Sequence, residues 1–140
     1  MLWLLDTCVL SELTRTDPHP SVWRWIQVHG DSTVMSAVSV GEILDGIERM
    51  SLGRNRNRLQ FWFEGLCHRY AEKTLATDVQ VWRTYARLKA SMAAIGQVQP
   101  DMELLIAACA TVHGATVVTR NTKDFEATGV PLLNPWLIES

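Results

Sequence analysis

The chain begins with a short apolar run, Leu2-Trp3-Leu4-Leu5, that ends abruptly at Asp6. An uninterrupted apolar run of this length predicts a strand that is buried on both of its faces. Strands of this kind belong to parallel sheets, because helices cover both sides of such a sheet. We therefore predict an α/β domain in which residues 1–5 form an inner strand.

The rest of the chain alternates strand-like apolar runs with segments of helical periodicity, as a parallel sheet requires. Further strands are predicted at 32–36, 115–119 and 130–133. Helices are predicted from Ser11, from a Ser21 cap to His29, over 39–50, around 59–66, after an Asp78 cap and over 101–113, with a turn or short helix at 121–125. The 140 residues suit one domain and show no linker, so we assign 1–140 to a single domain.

The composition argues against several classes of protein. Hydrophobic residues make up 47% of the chain and charged residues 20%, which supports a packed core and argues against disorder. The three cysteines form no CxxC pair, which argues against a disulfide framework or a thiolate zinc site and favours a reducing cytoplasm. No apolar run approaches the length of a membrane helix, and Asp6 interrupts the start where a signal peptide would continue.

The net charge of −2 and the pI of about 6.1 are not those of a basic nucleic-acid-binding domain. Any nucleic acid must therefore be held by a local basic patch or through metal ions. The densest basic segment is Arg54-Asn55-Arg56-Asn57-Arg58. It fits either a phosphate-contacting patch or a solvated loop and helix start.

Aromatic residues are concentrated in two predicted helices. Trp23 and Trp25 are two residues apart, so both cannot face the core, and the same holds within Phe61-Trp62-Phe63. The outward-facing members are either exposed by chance or form an apolar groove for a helix or tail of a partner protein.

Four acidic residues fall at the ends of predicted strands or near the starts of predicted helices: Asp6, Glu42, Glu103 and Asp124. In open parallel sheets the ligand crevice lies beyond the carboxyl ends of the strands. Each acid alone also fits a helix cap, a solvated helix position or a turn. Their common placement on one side of the sheet favours a cluster.

Neighbouring carboxylates repel one another unless they are protonated or neutralised. A hard cation such as Mg²⁺ or Mn²⁺ removes the repulsion and, once bound, activates water for attack on a phosphodiester. The four histidines show no metal-ligand spacing, and the sequence indicates no Ser/His/Asp catalytic triad. The predicted chemistry is therefore metal-dependent hydrolysis without an organic cofactor.

Either Asp101 or Glu103 could supply the carboxylate that the start of this helix contributes to the cluster. Residues two apart on a helix point about 200° away from each other, so both cannot serve one site. Glu103 shares a helix face with the apolar residues Ile106 and Ala107, and that face meets the crevice. Asp101 follows Pro100, where we predict a helix cap.

Four motifs in this order resemble those of PIN-domain nucleases, and the resemblance covers nearly the whole chain. They are Leu4-Leu5-Asp6-Thr7-Cys8-Val9-Leu10-Ser11-Glu12, Ser39-Val40-Gly41-Glu42-Ile43, Glu103-Leu104-Leu105-Ile106-Ala107-Ala108, and Val118-Thr119-Arg120-Asn121-Thr122-Lys123-Asp124-Phe125 with Asn134-Pro135-Trp136. Within the family, the chain looks closest to the VapC/FitB-like toxins of bacterial type II toxin–antitoxin modules.

The resemblance implies a three-layer α/β/α fold with a mainly parallel sheet, Mg²⁺- or Mn²⁺-dependent cleavage of RNA, a homodimer and inhibition by a cognate antitoxin. It implies four catalytic residues, Asp6, Glu42, Glu103 and Asp124. Of these, Asp6, Glu103 and Asp124 would be metal ligands. Thr7, Thr119 and Asn121 would contact these acids or a phosphate.

Two residues depart from the family pattern. Cys8 stands where the family usually has Asn, and Glu103 stands where Asp is usual. The extra methylene of Glu103 either weakens the metal site or leaves Asp101 to compensate. An alternative function is thus a catalytically weakened PIN-fold module that acts by binding antitoxin or RNA. A phosphatase of the Asp-based α/β type would need a second Asp at position 8, so it ranks low.

Overall fold

The computed structural model describes residues 1–138 and contains one parallel sheet of five strands within that range. The strands are Trp3–Leu5 (β1), Thr33–Ser36 (β2), Thr74–Leu75 (β3), Thr116–Val118 (β4) and Leu132–Leu133 (β5). Their order across the sheet is β3-β2-β1-β4-β5, and every neighbouring pair is parallel. The predicted α/β class with a parallel sheet is confirmed.

Helices connect the strands and cover both faces of the sheet. They are Thr7–Glu12 (α1), Pro20–His29 (α2), Ala37–Glu48 (α3), Arg54–Arg69 (α4), Val79–Ala94 (α5), Asp101–His113 (α6) and Thr122–Phe125 (α7). Short 3₁₀ turns lie at Gly30–Ser32, Glu126–Thr128 and Pro135–Leu137. Within 1–138, none of the helices combines the length and the apolarity needed to span a bilayer.

The core has two halves, one on each face of the sheet. Leu4 and Val117 point to one face, where they pack with buried residues of α5, α6 and α7. Leu5 and Val118 point to the other, where they pack with buried residues of α1, α2 and α4. Successive strand residues therefore alternate between two apolar layers, which produces the three-layer α/β/α arrangement.

Helix starts differ from their predicted positions where a side chain caps earlier than expected. Asp6 accepts a hydrogen bond from the Thr7 amide, so α1 begins at Thr7 and not near Ser11. Nδ1 of His19 accepts from the Ser21 amide, so His19 is the cap of α2 in place of Ser21. Both helices therefore begin earlier than predicted.

Candidate functional site

Asp6 lies at the junction of β1 and α1, where the sheet ends. Its side chain is buried, and its amide donates to the carbonyl of Val118 on the neighbouring strand β4 at 2.9 Å. Oδ1 accepts from the Thr7 amide at 2.8 Å, and Oδ2 accepts from the Thr119 hydroxyl at 2.8 Å. Both carboxylate oxygens are therefore held, and the carboxylate has a fixed direction.

Thr119 connects Asp6 to the loop that follows β4. Its side chain is fully buried, and Oγ1 accepts from the Asn121 amide at 3.0 Å while it donates to Asp6. The Cys8 sulfur lies 3.5 Å from both Oδ2 of Asp6 and Oγ1 of Thr119. Burial and the negative charge of Asp6 raise the pKa of the Cys8 thiol. Cys8 thus meets the acid as a neutral thiol at neutral pH.

Glu42 is held against the same corner from α3. Oε1 accepts from the Thr7 hydroxyl at 2.8 Å, and that hydroxyl also lies 2.8 Å from Oγ of the fully buried Ser39. The Thr7 hydroxyl is thus directed at two acceptors, the Glu42 carboxylate and the Ser39 hydroxyl. Thr7 therefore supports Asp6 through its amide and Glu42 through its side chain.

Glu103 lies in the first turn of α6 and faces the other three acids. Burial is the main cause that raises the pKa of Glu103 from 4.5 to about 7, followed by the negative charges of Asp124, Asp6 and Glu42. Its Oε2 atom is buried and has no hydrogen-bond partner within the described residues. The charges of the other three predicted acids therefore act on Glu103 in addition to its burial.

Asp124 approaches the cluster from α7. Its amide donates to the carbonyl of Asn121 at 3.0 Å, which closes the turn predicted at 121–125. The side chain is half-buried. The loop after β4 therefore supplies Asp124, and the same loop is tied to Asp6 through Thr119.

Asp101 does not belong to the cluster, and it does not cap α6 as predicted. No side chain caps that helix, whose capping position is Pro100. Oδ1 of Asp101 accepts from the Tyr85 hydroxyl at 2.7 Å and from the Lys89 ammonium at 2.9 Å. These partners hold Asp101 on the exposed surface, so it is not placed to compensate for the length of Glu103.

The donor set suits a hard cation, although the side chains of 1–138 include no group of three His, Cys, Asp or Glu already arranged to hold a metal. Every acid in the cluster offers only carboxylate oxygens, the ligands that Mg²⁺ and Mn²⁺ prefer. The orphaned Oε2 of Glu103 is an unsatisfied acceptor in this region. The chemistry of these residues therefore fits such an ion.

The fully buried Ser39 was not singled out from the sequence. It precedes Glu42 by three residues, so both side chains lie on one face of α3. Helical spacing from the predicted acid was the signal that could have identified it.

The aromatic helices each divide between core and surface, as predicted. Trp25 and Phe63 are buried, whereas Trp23 is 49% and Phe61 85% exposed. Trp62 is half-buried. Trp23 and Trp62 line a groove of about 490 Å³ between α1, α2 and α4 with Leu10, Leu13 and Ile26. This apolar groove stays open on the surface.

Comparison with known proteins identifies the family. The PIN domain family model matches residues 3–131. VapC ribonuclease Y4jK of Sinorhizobium fredii is 37% identical over 95% of this chain and 96% of its own length. Toxin FitB of Neisseria gonorrhoeae is 32% identical over 95% of this chain and 97% of its own length.

Solved structures agree with the sequence relatives. The structure of FitAB bound to an IR36 DNA fragment superposes with a TM-score of 0.90 at 31% identity and covers 99% of both chains. The fold, the order of the motifs and these relatives all indicate one assignment. The chain belongs to the PIN-domain family, in its VapC/FitB-like toxin group.

Proposed function

We propose that this protein is a Mg²⁺- or Mn²⁺-dependent endoribonuclease, the toxin component of a type II toxin–antitoxin module of the cytoplasm. One observation carries the proposal. Four carboxylates, one directly after β1 and the others on α3, α6 and α7, meet at the carboxyl end of the sheet, where burial and then the charges of the other three raise the pKa of Glu103 to about 7. The ribonuclease and toxin names of the relatives support the same function.

Asp6, Glu103 and Asp124 would hold the metal. A bound divalent cation would activate water and stabilise the charge that develops on the phosphodiester. Asp6 enters the reaction already fixed, because the Thr7 amide and the Thr119 hydroxyl hold its two oxygens. Glu42, held by the Thr7 hydroxyl, would orient the attacking water and accept its proton.

The groove lined by Trp23 and Trp62 supports an antitoxin partner. Its aliphatic and aromatic lining residues, with Gln27, Asp31 and Arg69 among them, suit an amphipathic helix or tail of a second protein. The structure neighbour FitAB is a complex whose toxin resembles this chain. We therefore propose that a cognate antitoxin occupies this groove.

A homodimer is proposed as well. Its support is a set of large apolar side chains that remain exposed away from the groove, namely Ile95, Val98 and Met102. Light scattering after size exclusion would measure the mass, and a mass of one chain at every concentration would contradict the dimer.

Cleavage of RNA by the purified protein tests the proposed activity. We expect cleavage with Mg²⁺ or Mn²⁺, none with EDTA, and none by the Asp6→Asn variant. Asp31→Asn is the matched control, because Asp31 is an exposed aspartate remote from the cluster in the 3₁₀ turn Gly30–Ser32. Equal cleavage by the Asp6→Asn protein would refute the assignment of the site.

A second candidate is a binding module with weakened catalysis. The absence of a preformed three-residue metal arrangement within 1–138 favours it. Calorimetric titration with Mn²⁺ separates the candidates, since a binding module would show no metal uptake in its free form.

A further inference from the structure

We propose that Arg54 and Arg58, at the start of α4, bind phosphates of the RNA strand that enters the acid cluster. The inference rests on the proposed ribonuclease function and adds the path of the substrate to it. It concerns the basic segment 54–58, whose role the catalytic site leaves unassigned.

A groove lies between the acid cluster and the residues that flank this segment. It has a volume of about 340 Å³, and its lining includes Thr7 and Glu42 together with Met50 and Leu59, which lie before and after the segment in the chain. Because Thr7 and Glu42 belong to both the acid cluster and the groove, the two are continuous. A strand lying in the groove would bring a phosphodiester to the carboxylates.

The structure separates the three arginines of the segment. Arg56 is largely buried, and its guanidinium donates to Glu48 at 3.2 Å and to the Met50 carbonyl at 3.1 Å. Its donors are used to hold α4 against the end of α3. Arg54 and Arg58 remain exposed and are the two arginines free to meet a ligand.

Arg58 lies at the rim of the groove. Its Nη1 atom donates to the carbonyl of Thr14 at 3.3 Å, and Thr14 itself lines the groove. This contact uses one of the five guanidinium donors and leaves the others available. Arg54 precedes Arg58 by four residues, so both side chains lie on one face of α4.

The placement of these charges is unfavourable for the free protein. Two like charges four residues apart repel each other, and cations at a helix N-terminus oppose the helix dipole. The capping residue Gly53 offers no side chain to offset this. A phosphate would relieve both effects, and the chain as a whole, with a net charge of −2, offers little other attraction to a polyanion.

RNA binding by the Asp6→Asn protein tests the proposal without cleavage. The probe is a fluorescein-labelled single-stranded RNA of mixed sequence, followed by anisotropy over a range of salt concentrations. Losing two phosphate contacts should lower the salt slope by about 1.4 and weaken binding about 25-fold at about 0.1 M salt. We expect this result for the Arg54→Ala/Arg58→Ala double variant in the Asp6→Asn protein.

The matched control is Arg83→Ala/Arg87→Ala, which removes two exposed arginines with the same spacing from α5. It should bind the RNA as the parent does. An equal loss in the control and the test variant would overturn the proposal, because only overall charge would then matter. Unchanged RNA binding with impaired antitoxin binding would also overturn it and would assign the arginines to a protein partner.

Three further outcomes distinguish a failure of the arginine site from a folding defect and from a failure of the proposed function. If loss of the Thr14 contact destabilises the double variant in thermal unfolding, Arg54→Ala alone retains that contact and should still weaken binding about fivefold. If the native protein cleaves no RNA, the proposed function fails, yet a selective loss of RNA binding would uphold the arginine site. If cleavage occurs but both double variants bind RNA like the parent, only the arginine site fails.

Discussion

Replacing Glu103 with glutamine should stabilise the metal-free protein at alkaline pH and leave its stability unchanged in acid. The carboxyl is forced to ionise in a buried field of three other acids, and its Oε2 atom has no partner within the described residues. Glutamine has nearly the same shape and carries no charge. It therefore removes the repulsion and keeps the packing.

The size and the pH range of the effect follow from the pKa of Glu103. The folded pKa of about 7 lies above the ordinary 4.5, so the neutral carboxyl favours the folded state below pH 4.5. That contribution is lost as the pH rises through about 7. The full shift corresponds to about 3 kcal/mol, and because the side chain is only half-buried, screening by water reduces this to about 1 kcal/mol.

Thermal unfolding in EDTA at about pH 5 and about pH 8 measures this difference. At about pH 8 we expect the melting temperature of Glu103→Gln to lie about 4 °C above that of the native protein. At about pH 5 the two melting temperatures should be equal. Glu64→Gln, at an exposed glutamate of α4, is the control and should show no pH-dependent difference.

Adding Mn²⁺ should reverse the order of stability. A ligand that binds only the folded state stabilises it by about 2.7 kcal/mol at 100 times its dissociation constant, and the variant lacks one of the proposed ligands. Equal gains in both proteins would show that Glu103 is not a ligand. The same gap between the two proteins at both pH values would refute the electrostatic reasoning itself.

Three further predictions concern residues around the site. Thr119→Val removes the hydroxyl that holds Asp6 and should weaken Mn²⁺ binding about 10- to 100-fold in calorimetry, whereas Thr119→Ser should retain it. Trp25→Ala should lower the free energy of unfolding in urea by about 3–5 kcal/mol, and the exposed Trp23→Ala by less than about 1 kcal/mol. Asp101→Asn should cleave RNA at the native rate, because the contacts of Asp101 are with Tyr85 and Lys89; a large loss would contradict its exclusion from the cluster.

The strands that could be predicted from sequence are those with continuous apolar runs. β1, β2, β4 and β5 all fall within their predicted segments, although each is shorter than expected. β3 was not predicted, because Thr74–Leu75 is a half-buried pair with no run or alternation to read. It is held by pairing to β2, where the Met35 amide donates to the Lys73 carbonyl at 3.0 Å. That pairing depends on residues almost forty positions apart, which no local pattern encodes.

Local helical geometry was enough to separate Asp101 from Glu103. The two side chains diverge as the helical period requires, and only Glu103 faces the other acids. The partners of Asp101 could not be anticipated, since Tyr85 and Lys89 come from α5.

The sequence left two roles open for Asp6, a helix cap or a member of the acid cluster, and the structure gives it both. Its Oδ1 atom caps α1, and its negative charge helps to raise the pKa of Glu103.

Asp6 and Glu103 differ in their hydrogen bonding: both carboxylate oxygens of Asp6 accept hydrogen bonds, whereas Oε2 of Glu103 accepts none within the described residues. Replacing each residue should therefore change the stability of the metal-free protein in opposite directions. Asp6 is fully bonded in the metal-free protein, so Asp6→Asn disturbs a satisfied network and should lower both stability and metal binding. Glu103 is unsatisfied, so its replacement should raise the stability of the free protein while it weakens the metal site. Selection for stability alone would not retain a half-buried carboxylate that three other acids repel. Opposite signs measured at Glu103 would mark it as the position where stability is given up for the proposed metal binding.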